Sequence, residues 1–180
     1  RQFCHSHVPD ALHVSLRGSA FANRVGFLAP VESRLLLVLE DDADLALATD
    51  QLLVVGYEQI IGYLIDGMDS WQAAGLPVQE LAQLSVCQLD AERERLTILD
   101  VREPGEWDEG HIAGALHMPF YTVEARLGEL DPSTSLAMLC SSGQRSAIAC
   151  SLLQRHCFEK LYNVIGGMEA WRQSSLPEVK

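Results

Sequence analysis

Cys140-Ser141-Ser142-Gly143-Gln144-Arg145-Ser146 holds the residue types most able to do chemistry in this chain. It follows the apolar run Leu136-Ala137-Met138-Leu139 and precedes a helical pattern from Ala147 to Gln154. A cysteine leaving a buried strand thus meets small polar loop residues and then the start of a helix. Unpaired N–H groups at a helix start carry partial positive charge and favour an anion. Gly143 permits a tight turn in which successive N–H groups converge as a nest, and Arg145 adds a full positive charge. An ordinary free thiol is only about 3% thiolate at pH 7, and converting it mostly to thiolate takes about 2.7 kcal/mol of preferential anion stabilisation. A helix terminus and a nearby cation together supply energies of that order, so the expected chemistry is nucleophilic sulfur at Cys140.

The elements that must position this loop can be read around it. Leu96-Thr97-Ile98-Leu99 is a β-branched, apolar run ending at Asp100, the pattern of a buried parallel strand. Asp100 and Arg102 then fall at the carboxyl end of that strand, where open α/β sheets place their ligand sites. Their simplest role is an ion pair that organises loops. His111, bracketed by Gly110 and Gly114, reads as a structural histidine, and Gly166-Gly167 reads as a turn before a helix holding Trp171.

Four blocks then occur in order: Leu99-Asp100-Val101-Arg102-Glu103; Glu106-Trp107 with Gly110-His111-Ile112-Ala113-Gly114-Ala115-Leu116-His117-Met118-Pro119; the Cys140 loop; and Asn163-Val164-Ile165-Gly166-Gly167-Met168-Glu169-Ala170-Trp171. This series resembles the rhodanese (sulfurtransferase) family. The resemblance implies an α/β domain with a small parallel sheet flanked by helices, and a persulfide formed on Cys140. It also implies that Ser141, Ser142, Gly143, Gln144, Arg145 and Ser146 cradle the sulfur, with Asp100, Arg102 and His111 in support. Arg145 would orient the anionic donor or the leaving group. The expected reaction moves sulfane sulfur from thiosulfate or a persulfide to a thiol or cyanide, with no cofactor and no metal.

The N-terminal half repeats the C-terminal half. Phe3, His7, Ala11, Leu12 and His13 match Trp107, His111, Ala115, Leu116 and His117 at an offset of 104. Arg24, Gly26, Leu28 and Pro30 match Arg126, Gly128, Leu130 and Pro132 at 102, and Leu52, Leu53, Ile65, Gly67, Met68 and Trp71 match Leu152, Leu153, Ile165, Gly167, Met168 and Trp171 at 100. Two tandem domains of one fold are therefore expected, 1–77 and 78–180, with a short helix leading into the second. At the offset of 100, Glu40 stands for Cys140, Ala43 for Gly143 and Leu45 for Arg145. The first copy is then a degenerate domain without the catalytic cysteine, and its acidic loop Glu40-Asp41-Asp42-Ala43-Asp44 reads as a solvated turn rather than a cation site. Nothing before Phe3 corresponds to 96–103, so the first copy is expected to be incomplete at its N-terminus, with residues upstream of Arg1. Among proteins this resembles, tandem modules can follow a metallo-β-lactamase-fold domain, the upstream partner expected here.

The formal net charge of -12 argues against nucleic acid and anionic membranes as partners, and no apolar run approaches the ~18 residues of a membrane span. Five cysteines without regular spacing suit a reducing, cytoplasmic compartment better than a disulfide framework. Cys150 and Cys157 are placed on one face of the helix after the loop, as core or as a resolving thiol, and Cys4-His5-Ser6-His7 reads as scaffold rather than a metal site. The expected partners are a small-molecule sulfur donor and a thiol acceptor. A lost strand in the first copy would leave a sheet edge that invites pairing, so oligomeric state stays open.

Two alternatives remain at this level. Cys-dependent phosphatases and arsenate reductases share the strand–loop–helix logic, but the phosphatases set five residues between cysteine and arginine, whereas four separate Cys140 from Arg145. The other alternative is a non-catalytic binding, regulatory or sulfur-relay module.

Overall fold

Short apolar runs become the strands of the computed structural model, which describes residues 2–17 and 20–180. The chain divides into two units, Arg1–Glu80 and Leu81–Lys180. The first holds helices α1 (Gln2–His5) and α2 (Phe21–Gly26), strand β1 (Leu35–Val38), helix α3 (Leu45–Val54), strand β2 (Ile60–Leu64) and helix α4 (Gly67–Ala73). Strands β1 and β2 pair in parallel, and Phe21, Ala22, Ala48, Leu52 and Tyr57 form the core beneath them. Ala48 and Leu52 lie four residues apart, on one face of α3, which is why that helix buries a stripe there.

The second unit runs β3 (Ala82–Leu84), α5 (Val86–Glu92), β4 (Thr97–Asp100), α6 (Pro104–Glu109), β5 (Leu116–His117), β6 (Leu136–Leu139), α7 (Gln144–Arg155), β7 (Leu161–Val164) and α8 (Gly167–Gln173). Its five strands are all parallel, in the order β3-β7-β6-β4-β5. This is an α/β fold with a parallel sheet and flanking helices. Every residue of β6 is buried, as a central parallel strand covered on both faces requires. Helices α5 and α8 pack together, and Val86, Leu89, Ile98, Ile112, Ala137, Leu139, Val164, Met168 and Trp171 form one core cluster. Helix α7 packs on β6 and β7.

Four features depart from the sequence reading. Strand β3 was not expected, because three residues at a sheet edge carry no legible alternation. Helix α7 begins at Gln144 rather than Ala147, because Gly143 at φ +94° turns the chain directly into it. Cys150 is in the core, but Cys157 lies beyond the end of α7, exposed and at φ +62°, so the two do not share a helix face.

The fourth departure is one of register. Leu37 pairs with Tyr63 and Val38 with Leu64, whereas Ala137 pairs with Tyr162 and Met138 with Asn163. Relative to its partner strand, β1 is thus one residue out of step with the offset of 100, and Leu39 rather than Glu40 takes the position of Cys140. The helix start after each second strand agrees, since a Cβ at Gly67 would overlap the Leu39 carbonyl oxygen and one at Gly167 the Cys140 carbonyl oxygen.

Within each unit the same small devices recur. Phe3 stacks on His7 and His13 at 3.8 and 4.6 Å, and Trp107 on His111 and His117 at 3.6 and 4.7 Å. His7 bridges Gln79 as His111 bridges Val179. Trp71 donates its indole N–H to Pro77 at 2.7 Å, and Trp171 donates to Pro177 at 3.1 Å.

Candidate active site

The buried strand β6 delivers Cys140 to the carboxyl edge of the sheet, where the residue is only 1% exposed. The loop after it turns on Gly143, whose left-handed backbone brings its own N–H to 3.1 Å from Cys140 Sγ. A Cβ at that position would press to 3.2 Å from the Val164 carbonyl oxygen, so glycine also serves the close approach to β7. Opposite, the start of α8 grips the loop: Met168 N–H donates to Cys140 O at 2.8 Å and Glu169 N–H to Ser141 O at 3.0 Å. With these carbonyls turned to α8, the Gly143 amide is directed at the sulfur. A polarised donor in this place can stabilise negative charge on that sulfur.

Ser146, fully buried at the first turn of α7, places its hydroxyl 3.4 Å from Cys140 Sγ and 2.6 Å from Asn163 Oδ1. One hydroxyl proton faces two acceptors, and the shorter bond is to Asn163. Asn163 Nδ2 in turn donates to Gly143 O at 3.3 Å. The amide therefore fixes both groups that contact the sulfur. Ser141 donates its hydroxyl to Glu169 Oε1 at 2.9 Å, while Ser142 and Gln144 face solvent.

Arg145 has a different partner from the incoming anion that the sequence reading gave it. Its two terminal nitrogens bond both oxygens of Glu106, at 2.5 and 2.7 Å. The same Glu106 closes a capping box at the start of α6 by accepting the Glu103 N–H at 3.1 Å. The Arg145 hydrogen bonds hold the Glu106 carboxyl below the usual glutamate range, partly opposed by burial, and Glu106 raises the guanidinium in return.

Asp100 and Arg102 form a buried ion pair. Arg102 donates Nε to both Asp100 oxygens at 2.9 Å and Nη2 to Oδ2 at 2.6 Å. Its remaining donors reach the Glu106 carbonyl at 2.8 Å and the Gly110 carbonyl at 2.9 Å, so one guanidinium ties β4 to α6 and to the turn after it. His111 stacks on Trp107 and its Nδ1 lies 3.3 Å from the Trp107 carbonyl. None of these three residues bonds the loop; they position α6, and α6 carries the partner of Arg145. Glu106, Asn163 and Glu169 were quoted in the sequence blocks without a role. Only Asn163 left a signal, as a polar residue inside the otherwise strand-like run Leu161–Val164.

Among the described residues no three His, Cys, Asp or Glu side chains gather as a metal site. In the acidic loop of the first unit, Asp41 accepts the Ala43 N–H and Asp42 the Asp66 N–H. No described helix is long and apolar enough to cross a membrane.

A parallel sheet, a buried cysteine at its carboxyl edge and a loop that turns donors onto its sulfur are thus combined in one domain. Residues 85–174, half of the chain, match the family of rhodanese-like domains. The chain is 32% identical over 102 residues to a sulfurtransferase of Allochromatium vinosum, a stretch covering 57% of this chain and 95% of that one. It is 41% identical over 78 residues to the putative sulfur carrier protein YrkF of Bacillus subtilis, covering 43% of this chain and 42% of YrkF. The crystal structure of a rhodanese-related protein from Thermoplasma volcanium superposes with a TM-score of 0.52 at 28% identity, over 54% of this chain and 97% of the other. The chain belongs to the rhodanese-like family, and its homologues include named sulfurtransferases.

Proposed function

We propose that the unit Leu81–Lys180 is a sulfurtransferase that carries sulfane sulfur as a persulfide on Cys140, taking it from thiosulfate or a low-molecular-weight persulfide and passing it to a thiol or to cyanide. The observation that carries this reading is the Gly143 N–H aimed at Cys140 Sγ from 3.1 Å, in a loop whose carbonyls are held away by α8. In the first half-reaction the Cys140 thiolate attacks the outer sulfur of the donor. The donor's S–S bond breaks, its electron pair leaves with sulfite or a thiolate, and Cys140–S–S⁻ remains. In the second, an acceptor thiolate or cyanide attacks the terminal sulfur and Cys140 leaves as a thiolate. Electrons balance within each exchange, so no oxidant or cofactor enters. Gly143 stabilises the sulfur anion, and Ser146 can turn its single proton from Asn163 to sulfur as charge develops there.

The first unit reads as a second, degenerate copy of the same fold without a catalytic cysteine. The matched aromatic–histidine stacks, the paired His7–Gln79 and His111–Val179 bridges and the two tryptophan–proline hydrogen bonds support that reading. Steady-state turnover with a persulfide donor and a thiol acceptor tests the proposal. Parallel double-reciprocal lines that vanish in Cys140→Ser are expected; intersecting lines, or turnover retained in Cys140→Ser, would overturn it.

A further inference from the structure

Thiosulfate and the sulfite it releases are both dianions, so a site that uses this donor needs uncompensated positive charge beside the sulfur. Arg145 is the one cation of the seven-residue loop, and both of its terminal nitrogens are on Glu106. Glu106 in turn is linked to Glu103 through that residue's N–H, and the Glu103 carboxylate lies close enough to act on the Arg145 charge. On the other side of the loop, the Ser141 hydroxyl is committed to the Glu169 carboxylate. The next arginine inward, Arg102, is buried on Asp100 and two carbonyls. The one guanidinium of the loop thus meets the carboxylates of Glu106 and Glu103, a third carboxylate, Glu169, holds Ser141, and the exposed positions Ser142 and Gln144 are uncharged.

We propose that this balance selects the donor: Cys140 takes its sulfur from the persulfide of a thiol rather than from thiosulfate, and Glu106 sets the choice by neutralising Arg145. The inference rests on Cys140 being a sulfur carrier. The Cys140 thiolate attacks the terminal sulfur of R–S–SH, the donor's S–S bond breaks, and R–S⁻ departs with the electron pair. The proton of the newly formed Cys140–S–SH passes to R–S⁻, giving R–SH and Cys140–S–S⁻. The leaving group ends neutral at sulfur, so the acidic rim does not oppose its release, as it would oppose sulfite.

The test compares kcat/KM for cysteine persulfide and for thiosulfate, with a common thiol acceptor, in the whole chain. Wild type should favour the persulfide by more than about tenfold, a preference worth about 1.4 kcal/mol. Glu106→Gln, which keeps the side chain's size and one acceptor oxygen but removes the charge, should raise thiosulfate kcat/KM relative to the persulfide by about tenfold. Ser142→Lys, at an exposed loop position, should shift the ratio in the same direction without disturbing α6, and both gains should shrink as salt rises. Thiosulfate matching the persulfide in wild type, or a ratio unmoved in both variants, would overturn the selection. Failure of both donors to load wild-type Cys140 would instead remove the sulfur-carrier reading beneath it.

Discussion

Gly167→Ala tests whether the grip of α8 on the loop is what holds Cys140 in place. Gly167 sits at φ +53°, where an L-residue costs about 1–2 kcal/mol. A Cβ there would also overlap the Cys140 carbonyl oxygen and come 2.6 Å from the Ser141 carbonyl oxygen. Both are backbone atoms in a close-packed loop, so they must retreat by about an ångström rather than rotate away. That retreat breaks the 2.8 Å and 3.0 Å bonds from Met168 and Glu169, each worth about 1 kcal/mol. The expected cost is about 3–4 kcal/mol, within the 5–15 kcal/mol that domains of this size possess, so the variant should still fold. Gly114→Ala supplies the control: Gly114 lies at φ +82° with nothing within 4 Å of its Cβ position, and should cost only about 1 kcal/mol of backbone strain. Urea titration, followed at the Trp171 indole N–H by NMR, reports on this unit alone. The rate of sulfur loading at Cys140 should also fall at least about tenfold in Gly167→Ala, because the Gly143 amide loses its aim. Equal costs for the two alanines, or normal loading in Gly167→Ala, would refute the reasoning.

Arg102→Lys should destabilise the same unit by about 3–5 kcal/mol in urea, since a lysine cannot serve Asp100 and both carbonyls and leaves buried acceptors unpaired. Asn163→Ala should leave the fold intact but slow persulfide formation several-fold and alter its pH profile, because Ser146 loses its buried acceptor and Gly143 its tether. A merely structural Asn163 would lower stability without moving that profile. The Glu106–Arg145 pair gives a pH signature: the glutamate is lowered on folding, so the pair's stabilisation is complete above the ordinary glutamate range and is lost as pH falls through the depressed folded value. The stability difference between wild type and Arg145→Gln should therefore hold from pH 7 to about 5 and shrink below that; a difference that grows on acidification would contradict the assignment.

The parts of this site that depend on neighbours in sequence were legible; those that depend on neighbours in space were not. Leu136–Leu139 followed by a cysteine, small residues and a helix pattern announces a strand, a turn and a helix, because each signal lies within a few residues. Thr97–Asp100 is legible for the same reason. Glu106 meets Arg145 across 39 residues and Ser146 meets Asn163 across 17, and no local pattern encodes either meeting. Consequently Arg145 read as a free cation, when its charge is compensated. The one-residue slip that gives Leu39, in its own unit, the place equivalent to that of Cys140 is hidden because ungapped matching across a loop cannot see strand register. Cys157 misread as a helix residue because seven-residue spacing suggests a shared face, yet α7 ends at Arg155.

The most direct test of the central claim is the intact mass of the whole chain after exposure to cysteine persulfide and removal of the excess donor. Wild type should retain the mass of one sulfur atom, localised to Cys140 and discharged by cyanide as thiocyanate, and Cys140→Ser should retain none. No added sulfur on wild type, or equal retention in Cys140→Ser, would contradict the account.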